Sequence, residues 1–519
     1  MRSTTMYWQV VCLGTAVGIS SGAGYGCSRM AEDCENILCS EPTGSGGNGG
    51  GGGGGIPGCE DSPIANPDVL KDECGVFVRS DAAVSGDGTK DKPYQSIGDA
   101  IAALPMGKRL YICGGQSFAE TVVLPGGVEV FGGLKCADES WTYQGGVADE
   151  QTVIAPIAAG AIPIKIEAGG GETQVYGVHA TAPAGVEPGQ SSIAAIVTES
   201  GAAKFENCTL TAGDGAEGAE GTAPAGTGMP GEQGNNGRDG CISTAQAIGA
   251  DEKTTMCGID ESSTGAVGGN GGVNAGGDGS NGSATPAPPI PASNGGDGQT
   301  DSVACKTGLE GVPGTNGIPG MGGVGLGAIS SAGYVGVPGM SGMTEGKPGQ
   351  GGGGGGGARG ATVCIPATNA GPSGGGGGSG ACGGAIGNGG GPGGSSLGLL
   401  SFSAAVSLKN VRISVANGGL GGAGSSGQPG GSGGQPGSAG GDGACPGGIG
   451  GQGGRGGAAG GGVGGHAIGV AFTGTAPDQA EVTITKGVSG VGGPGGDGGM
   501  MNQGLAGADG VSMERQSFD

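Results

Sequence analysis

Short runs of apolar residues alternate with turn residues between positions 74 and 212. The runs are rich in β-branched side chains, and Pro-Gly-Gly or Gly-Gly sequences separate several of them. This composition and spacing are typical of strands rather than helices. We therefore predict strands at 76–78, 110–112, 122–124, 128–131, 153–154, 162–166, 175–178 and 193–197.

One segment has a helical pattern. Within residues 94–104, Ile97, Ala100, Ile101 and Leu104 follow one another at i, i+3, i+4 and i+7, which places them on a single helix face. We predict one amphipathic helix of about three turns there. Because only strands follow it, this helix is expected to cap the open end of a stack of strands.

A six-residue pattern recurs in three places. Residues 205–210 and 408–413 share the order apolar, any, Asn, apolar, any, apolar, and 175–180 has Gly in the Asn position. Asn and Gly adopt positive φ more readily than other residues, so Gly177, Asn207 and Asn410 are predicted to stack as left-handed turns of successive coils. Asn410 should then lie over Asn207, with Glu206 and Lys409 as an outward-facing pair. A fainter copy occupies 467–472 and 482–484, and such repetition is typical of solenoids.

The segment before the predicted helix resembles a known family. Residues 85–89 (SGDGT), 92–94 (KPY) and 97–101 resemble the opening of right-handed parallel β-helix proteins of the pectin-lyase-like superfamily, over about 17 residues. In that family a GxGT-type turn and a Pro-aromatic pair lead into a capping helix. The resemblance implies an all-β fold, a right-handed parallel β-helix with an N-terminal capping helix. It also implies that polysaccharide lyase or hydrolase activity has to be considered.

A glycine-rich tract follows each copy of the repeat. Since the tracts begin at the same point of the coil, we expect them to leave one side of the solenoid as long insertions. The predicted organisation is a signal peptide (1–26), a flexible Cys- and Gly-rich tether (27–73), the N-terminal part of the β-helix (74–212), a glycine-rich insertion (213–394), a coil (395–416), a second insertion (417–465), a further coil (466–488) and a glycine-rich tail (489–519).

The 140 glycines and 29 prolines of the 519 residues decide what these tracts can be. Collagen needs glycine at every third position without interruption, and the regular runs at 228–240 and 308–323 are short. The single match to a calcium-binding glycine repeat, 492–497, lacks the large apolar residue that should follow. Two alternatives remain: disordered loops, which we favour, or a bundle of polyproline-II-like rods. Six cysteines that could crosslink such a bundle are Cys241, Cys257, Cys305, Cys364, Cys382 and Cys445. The composition is similar to the glycine-rich tracts of bacterial PGRS-type proteins, whose N-terminal helical domain is missing here.

The first residues predict export. Arg2 precedes an apolar stretch from 6 to 19 and then small residues, which is the pattern of a secretory signal. Cys27 follows in a position that loosely resembles a bacterial lipoprotein signal, so Cys27 is a lipidation candidate and outer-membrane anchorage is one expectation. The 14 cysteines from Cys27 onward could all pair, which favours a soluble secreted form instead. Cysteines in an exported chain predict disulfides.

Charge and composition exclude several classes. A formal net charge of −24 gives no electrostatic attraction to phosphates, and 7 Tyr, 7 Phe and 2 Trp offer few aromatic side chains on which bases could stack. We therefore predict no nucleic-acid partner. There is no CxxC pair, and the two histidines, His179 and His466, are interpreted as exposed or strand-surface residues. We predict no metal site and no cofactor.

The sequence does not favour an enzyme. Glycan cleavage needs clustered carboxylates, whereas Lys165 and Glu167 alternate with isoleucines as on a solvated strand face. The charged strand positions considered for catalysis are Glu129, Lys165, Glu167, Lys204, Glu206, Lys409 and Arg412. Trp141 could serve as a sugar platform or cover the edge of a small core. We therefore predict a non-enzymatic secreted or cell-surface structural protein; the alternative is a β-helix protein that binds or degrades polysaccharide, with a polysaccharide or cell-envelope component of unknown identity as its ligand.

Overall fold

The computed structural model describes residues 57–136, 140–499 and 501–519, and these residues are almost entirely β or extended. Within these residues, helical structure is confined to α1 (Ile97–Ala102), α2 (Gly360–Val363) and 3-10 turns at Pro67–Val69 and Ala148–Glu150. The strands of the first coils are β1 (Gly75–Val78), β2 (Arg109–Cys113), β3 (Ser117–Phe118), β4 (Val122–Gly126), β5 (Glu129–Lys135), β6 (Thr142–Tyr143), β7 (Thr152–Ile154), β8 (Ile164–Gly169), β9 (Thr173–Tyr176), β10 (Val178–Ala182), β11 (Ser192–Val197), β12 (Ala202–Glu206) and β13 (Thr209–Ala212). The later strands are β14 (Lys253–Met256), β15 (Ser262–Gly265), β16 (Ser283–Thr285), β17 (Ala328–Ser330), β18 (Gly333–Val335), β19 (Ser396–Phe402), β20 (Ala405–Lys409), β21 (Arg412–Val415), β22 (Ala467–Thr473), β23 (Asp478–Ala480), β24 (Thr483–Lys486) and β25 (Ser512–Ser517).

Three sheets of parallel strands form the framework. Sheet A has the order β1-β2-β5-β9-β12-β20-β23, with β6 antiparallel to β5. Sheet B has the order β24-β21-β13-β10-β7-β3, and sheet C has the order β25-β22-β19-β11-β8-β4. From β9 onward the chain visits sheets A, B and C in turn, apart from the short strands inside the first glycine tract. The prediction of an all-β chain is confirmed, and the sheets are parallel.

The core lies between the three sheets because every second side chain of each strand points inward. In sheet A one inward row runs across successive strands through Val76, Leu110, Val130, Val175, Phe205 and Leu408, all buried. Phe205 pairs with Leu408 across a 203-residue separation. The long insertion therefore leaves the stacking of the coils uninterrupted.

The first end of the stack is covered by α1, which is shorter than predicted. The helix residues Ile97 and Ala100 are buried. Both carboxylate oxygens of Glu120 accept hydrogen bonds at the start of α1, from Ile97 N at 2.8 Å and Gly98 N at 3.0 Å. The helix ends at Ala102 rather than at Leu104, because Pro105 disfavours a helical conformation in the residue before it.

The last coil places polar side chains where earlier coils have apolar ones. Gln479 aligns with Leu408 of sheet A, and Arg515 aligns with Val470 of sheet C. Arg515 lies over the Phe472 ring, with 5.9 Å between guanidinium carbon and centroid, and donates to the carbonyl of Pro477. Polar and charged groups at inward positions make the exposed edge compatible with water and unfavourable for further strand pairing.

Two predicted boundaries differ from the structure. Residues 57–73, assigned to the flexible tether, pack against the first strands through buried Val69 and Leu70 and the Cys59–Cys74 disulfide. Residues 489–519, assigned to a glycine-rich tail, end in β25, which pairs with β22. The third glycine tract is therefore an insertion like the other two, and the exposed, polar sequence of β25 had concealed its strand character.

The glycine tracts are ordered rods that run out and back. Each tract leaves the end of a sheet B strand (β13, β21 or β24) and returns to a sheet C strand (β19, β22 or β25). The outgoing rods 213–240 and 417–440 lie side by side and continue from β13 and β21. Backbone N–H groups of 215, 218 and 221 and then of 228, 231, 234 and 237 donate to the second rod, and the pairing shifts by one residue between 221 and 228. Within each stretch the hydrogen bonds recur at every third residue, which is the period of polyproline II. The paired strands therefore set the alignment of the rods where they begin.

The centre of this glycine bundle consists of glycine alone over several residues. Gly351–Gly357 and Gly374–Gly378 are buried, and each is surrounded by neighbouring backbones on every side. A Cβ on Gly377 would overlap the carbonyl oxygen of Gly352. Outer rods need glycine only at every third position, since their other residues face solvent. This arrangement corresponds to the bundle alternative, and the favoured interpretation of disordered loops was wrong for the described residues.

Disulfides connect the rods, as the sequence predicted. The six cysteines of the first two tracts pair as Cys241–Cys364, Cys257–Cys382 and Cys305–Cys445. At the start of the three-sheet region, Cys59 pairs with Cys74 and Cys113 with Cys136. Cys208 is buried and unpaired. These crosslinks indicate an oxidising, extracytoplasmic environment.

Candidate functional site

Three of the seven charged positions considered for catalysis meet on the outer face of sheet A. Lys204 and Glu206 point outward from β12, and Lys409 points outward from β20 beside Glu206. The Glu206 carboxylate contacts Lys204 Nζ at 2.8 Å and Lys409 Nζ at 2.7 Å. On the other side, Lys204 Nζ lies 5.4 Å from the centre of the Tyr176 ring. The face thus carries a compact cluster of two ammonium groups around one carboxylate.

The contacts within this cluster keep Glu206 and Lys204 in their charged forms. Partial burial works against ionisation of Glu206, but the hydrogen bonds from Lys204 and Lys409 outweigh it and lower the pKa of the carboxyl. The hydrogen bond to Glu206 also raises the pKa of Lys204. Both groups therefore stay ionised at neutral pH, whereas a general acid or base works best with a pKa close to the operating pH.

The other charged candidates do not join this cluster. Glu129 pairs with Arg109 at 2.6 Å on earlier strands of sheet A. Lys165 and Glu167 contact each other at 3.4 Å along one strand of sheet C. Arg412 is exposed on sheet B. The structure thus separates the carboxylates into individual ion pairs.

The predicted turn stack lies at the corner between sheets A and B. Gly177, Asn207 and Asn410 have φ of 63°, 55° and 51°. Asn410 Nδ2 donates to Asn207 Oδ1 at 2.7 Å, and Asn207 Nδ2 donates to the Tyr143 hydroxyl at 3.1 Å. The stack continues to Glu481, whose φ is 57°. The residue before it, Ala480, accepts a hydrogen bond at its carbonyl from Asn410 N. These side chains are engaged with one another and form a structural ladder.

Trp141 is part of a core and not a platform. Its side chain is 2% exposed and its ring meets Phe77 edge-on, with 4.8 Å between centroids. Phe77, Tyr111, Phe131 and Tyr176 form a row across the outer face of sheet A, in which Phe131 and Tyr176 are stacked. The hypothesis of a sugar platform at Trp141 was wrong because residues 57–74 and 140–143 cover the start of this row.

The two histidines have different environments. His179 lies on the surface of sheet B, where its Nε2 contacts Thr211 Oγ1 at 3.0 Å and Thr181 Oγ1 at 3.2 Å. His466 is buried, contrary to the prediction. Its Nδ1 accepts from Val511 N at 3.0 Å, so Nε2 carries the proton and donates to Leu326 O at 2.9 Å. Burial lowers the pKa of both rings.

Other candidate chemistry is limited. Within the residues that the structure describes, no group of three or more His, Cys, Asp or Glu could hold a metal ion. None of the helices in those residues is long and apolar enough to cross a membrane. Cys27, the lipidation candidate, lies outside the described residues.

Sequence reasoning missed several partners in these clusters. Arg109 pairs with Glu129, and Gln151 Nε2 donates to the carbonyl of Asn207 at 2.6 Å. Arg109 and Tyr111 stand on either side of the inward-facing Leu110, so the outward position of Arg109 was readable, whereas nothing local indicates the contact from Gln151. The outer face of sheet B was also missed, although its Thr-x-Thr sequences at 209–211 and 483–485 were visible.

No protein-family model matches this chain, and neither a curated protein nor a solved structure matches it.

Proposed function

We propose that this chain is an exported, non-enzymatic structural protein in which a right-handed parallel β-helix displays a bundle of glycine rods at the cell surface. The observation that carries the proposal is the common origin of the rods. All three tracts leave sheet B and return to sheet C at equivalent points of successive coils. Such a stalk holds a large, crosslinked surface on one side of a continuous core.

Several features support the β-helix interpretation. Three parallel sheets visited in cyclic order, a ladder of left-handed turns and a helix over the first coil agree with the resemblance of residues 85–101 to the pectin-lyase-like superfamily. Parallel sheets need crossover connections, and a solenoid supplies them by closing each coil.

The ion pairs support a structural role over glycan cleavage. Glu129, Glu167 and Glu206 each face a basic side chain, while lyase or hydrolase chemistry needs carboxylates poised near one another. The test is to incubate the secreted protein with a polysaccharide panel that includes uronate polymers and to measure new reducing ends and unsaturated products. We expect none; cleavage that disappears in Glu206→Gln would contradict the proposal and favour a polysaccharide-degrading enzyme.

Cysteine parity supports lipidation of Cys27. Ten of the 14 cysteines from Cys27 onward form disulfides, and Cys208 is buried without a partner. Cys27, Cys34 and Cys39 remain, and an odd number cannot pair completely. A lipidated Cys27 would leave Cys34 and Cys39 to pair, which reverses the parity argument drawn from the sequence.

The anchor can be tested separately from the fold. Metabolic labelling with a fatty acid should mark the wild-type chain in the membrane fraction, and Cys27→Ser should lose the label. Cys39→Ser serves as the matched control and should keep it. An unlabelled wild-type chain in the medium would support a free extracellular protein instead of an outer-membrane lipoprotein.

A further inference from the structure

The three outer faces of the solenoid differ in what covers them. The first strands of sheet A lie beneath residues 57–74. Sheet C has an apolar outer face, with buried Ile193, Leu397 and Ile468, and the β17–β18 hairpin packs against it through Ile329 and Tyr334. Sheet B is the open face, since the outward side chains of β21 and β24 are exposed.

The outward positions of sheet B share one chemistry. Its four later strands present two rows of polar side chains that are in register across the strands. The first row is His179, Thr209, Arg412 and Thr483, and the second is Thr181, Thr211, Ser414 and Thr485. In the second row, hydroxyl groups therefore repeat at the spacing of neighbouring strands, about 4.8 Å.

The same face lacks carboxylates, although the whole chain carries a net charge of −24. No outward position of the described strands of sheet B is Asp or Glu, and the nearest acidic residues along its four later strands, Asp214 and Glu481, lie beyond the strand ends. Asp214 is engaged there by the backbone N of Asn417. An anionic polymer can thus approach this face with less repulsion than elsewhere on the chain.

Arg412 lies on β21, the strand next to the last one of sheet B. It is exposed, it lies between Thr209 and Thr483 in the first row, and no described residue forms an ion pair with it. A guanidinium group is suited to bidentate binding of a carboxylate, and flanking hydroxyls can bond to the hydroxyls of the same ligand.

We propose that the outer face of sheet B, centred on Arg412, binds an extended acidic glycan. A glycan carboxylate pairs with Arg412, and the glycan hydroxyls bond to the Thr and Ser side chains of the two rows. A nucleic acid fits this face less well, because no Phe, Tyr or Trp stands at the outward positions of its described strands for bases to stack on. The paired strands hold the rows in place before binding, so little order has to be gained on association.

The experiment measures retention of the full secreted chain on immobilised alginate, hyaluronate and polygalacturonate, each beside its carboxyl-reduced form. We expect one or more acidic polymers to bind and the reduced forms to bind at least tenfold more weakly. Arg412→Gln should weaken binding about tenfold. Arg238→Gln removes the same charge from an exposed ion pair in the bundle and should leave binding unchanged. Thr483→Val with Thr485→Val keeps the side-chain shape and should weaken binding about threefold.

Several outcomes would overturn the proposal: no retention on any acidic polymer, equal retention on the reduced forms, or unchanged retention of Arg412→Gln. Double-stranded DNA held more tightly than every glycan, and released by Arg412→Gln, would assign the face to another partner. The inference rests on the proposed function, and the same incubations separate the two. Retention with cleavage contradicts only the non-enzymatic role, whereas absent retention without cleavage contradicts only the glycan face.

Discussion

The region of the three parallel sheets and the glycine bundle are both ordered, but they are held together in opposite ways. Between the sheets, side chains such as Phe205 and Leu408 fill the space. In the bundle, buried stretches such as Gly374–Gly378 have no side chains, and neighbouring backbones contact one another directly. Polyproline-II-like rods make no hydrogen bonds within themselves, so their N–H and carbonyl groups are available to other rods. A chain with little apolar material can therefore be ordered when its backbones satisfy each other.

The largest expected effect of a single substitution lies in the solenoid core. Phe205→Ala removes a fully buried ring from the middle coils and should destabilise the chain by about 3–5 kcal/mol. Urea unfolding followed by circular dichroism measures this loss. Met229→Ala, at a side chain that is 57% exposed on an outer rod, is the control and should cost well under 1 kcal/mol, about the usual value for surface changes. Equal losses for both variants would contradict a core built on side chains.

The bundle should depend instead on its crosslinks. Replacing Cys257 and Cys382 by Ser opens a loop with a sequence separation of 125, which should cost about 2–4 kcal/mol. Limited proteolysis should then cut within 213–394 while 74–212 stays intact. The matched control is the pair Cys59 and Cys74, with a separation of 15, whose loss should leave the rods resistant. Cleavage of the oxidised wild type within the rods would favour disordered loops after all.

Close backbone contact in the bundle predicts a position-dependent glycine effect. Gly377→Ala places a methyl group against the Gly352 carbonyl, while Gly170→Ala, at a turn of the solenoid, meets nothing within 4 Å. The first should destabilise by about 1–3 kcal/mol, and the second should be close to neutral. Thermal unfolding of the two variants, compared side by side, measures the difference. A neutral Gly377→Ala would mean that the rods are not packed as described.

The same contrast explains what could be predicted from the sequence. The apolar alternation of β9 to β13 and the Asn turns were readable because each signal is local and the copies repeat. The packing of the rods was not, since glycine presents no pattern of faces from which neighbours could be inferred. The exposed, polar strand β25 was missed for a related reason: Arg515 stands where a core residue was expected. At the charged cluster, the alternation of apolar and polar residues indicated that Glu206 points outward. In the turn stack, the contact of Tyr143 with Asn207 was not readable, because it depends on a segment that is distant in sequence.

His466 joins the two regions and should make that junction sensitive to pH. Its ring lies against Tyr334 of the hairpin from the first tract, with 5.4 Å between centroids, and Nδ1 must stay unprotonated to accept from Val511. Burial lowers its pKa in the folded chain, so the folded state binds fewer protons than the unfolded state. This contribution is complete above the ordinary pKa of about 6.5 and is lost as the pH falls below it.

Unfolding of the wild type at pH 7.5 and pH 5.5 should show this loss, and His466→Gln should reduce the difference. The chain contains two histidines, so His179→Gln isolates the remaining contribution; burial lowers its pKa as well. We expect its effect to be smaller, because His179 bonds only to surface hydroxyls. A pH dependence that is unchanged in His466→Gln would contradict a role at the junction.

The smallest expected effect belongs to the ion pair between successive coils. Lys409 Nζ reaches the Glu206 carboxylate at 2.7 Å, and its side chain is 55% exposed. Lys409→Gln should therefore cost well under about 1 kcal/mol, and high salt should reduce the cost further. Because the pKa of Glu206 is lowered in the folded chain, the contribution is present above the ordinary pKa of a carboxyl and disappears as the pH falls through the folded value. Urea unfolding at low and high salt measures it, with Lys165→Gln as a control whose partner Glu167 lies on the same strand. A loss of several kcal/mol would mean that the coils on either side of the first tract depend on this pair, and that their side-chain core is weaker than the burial of Phe205 indicates.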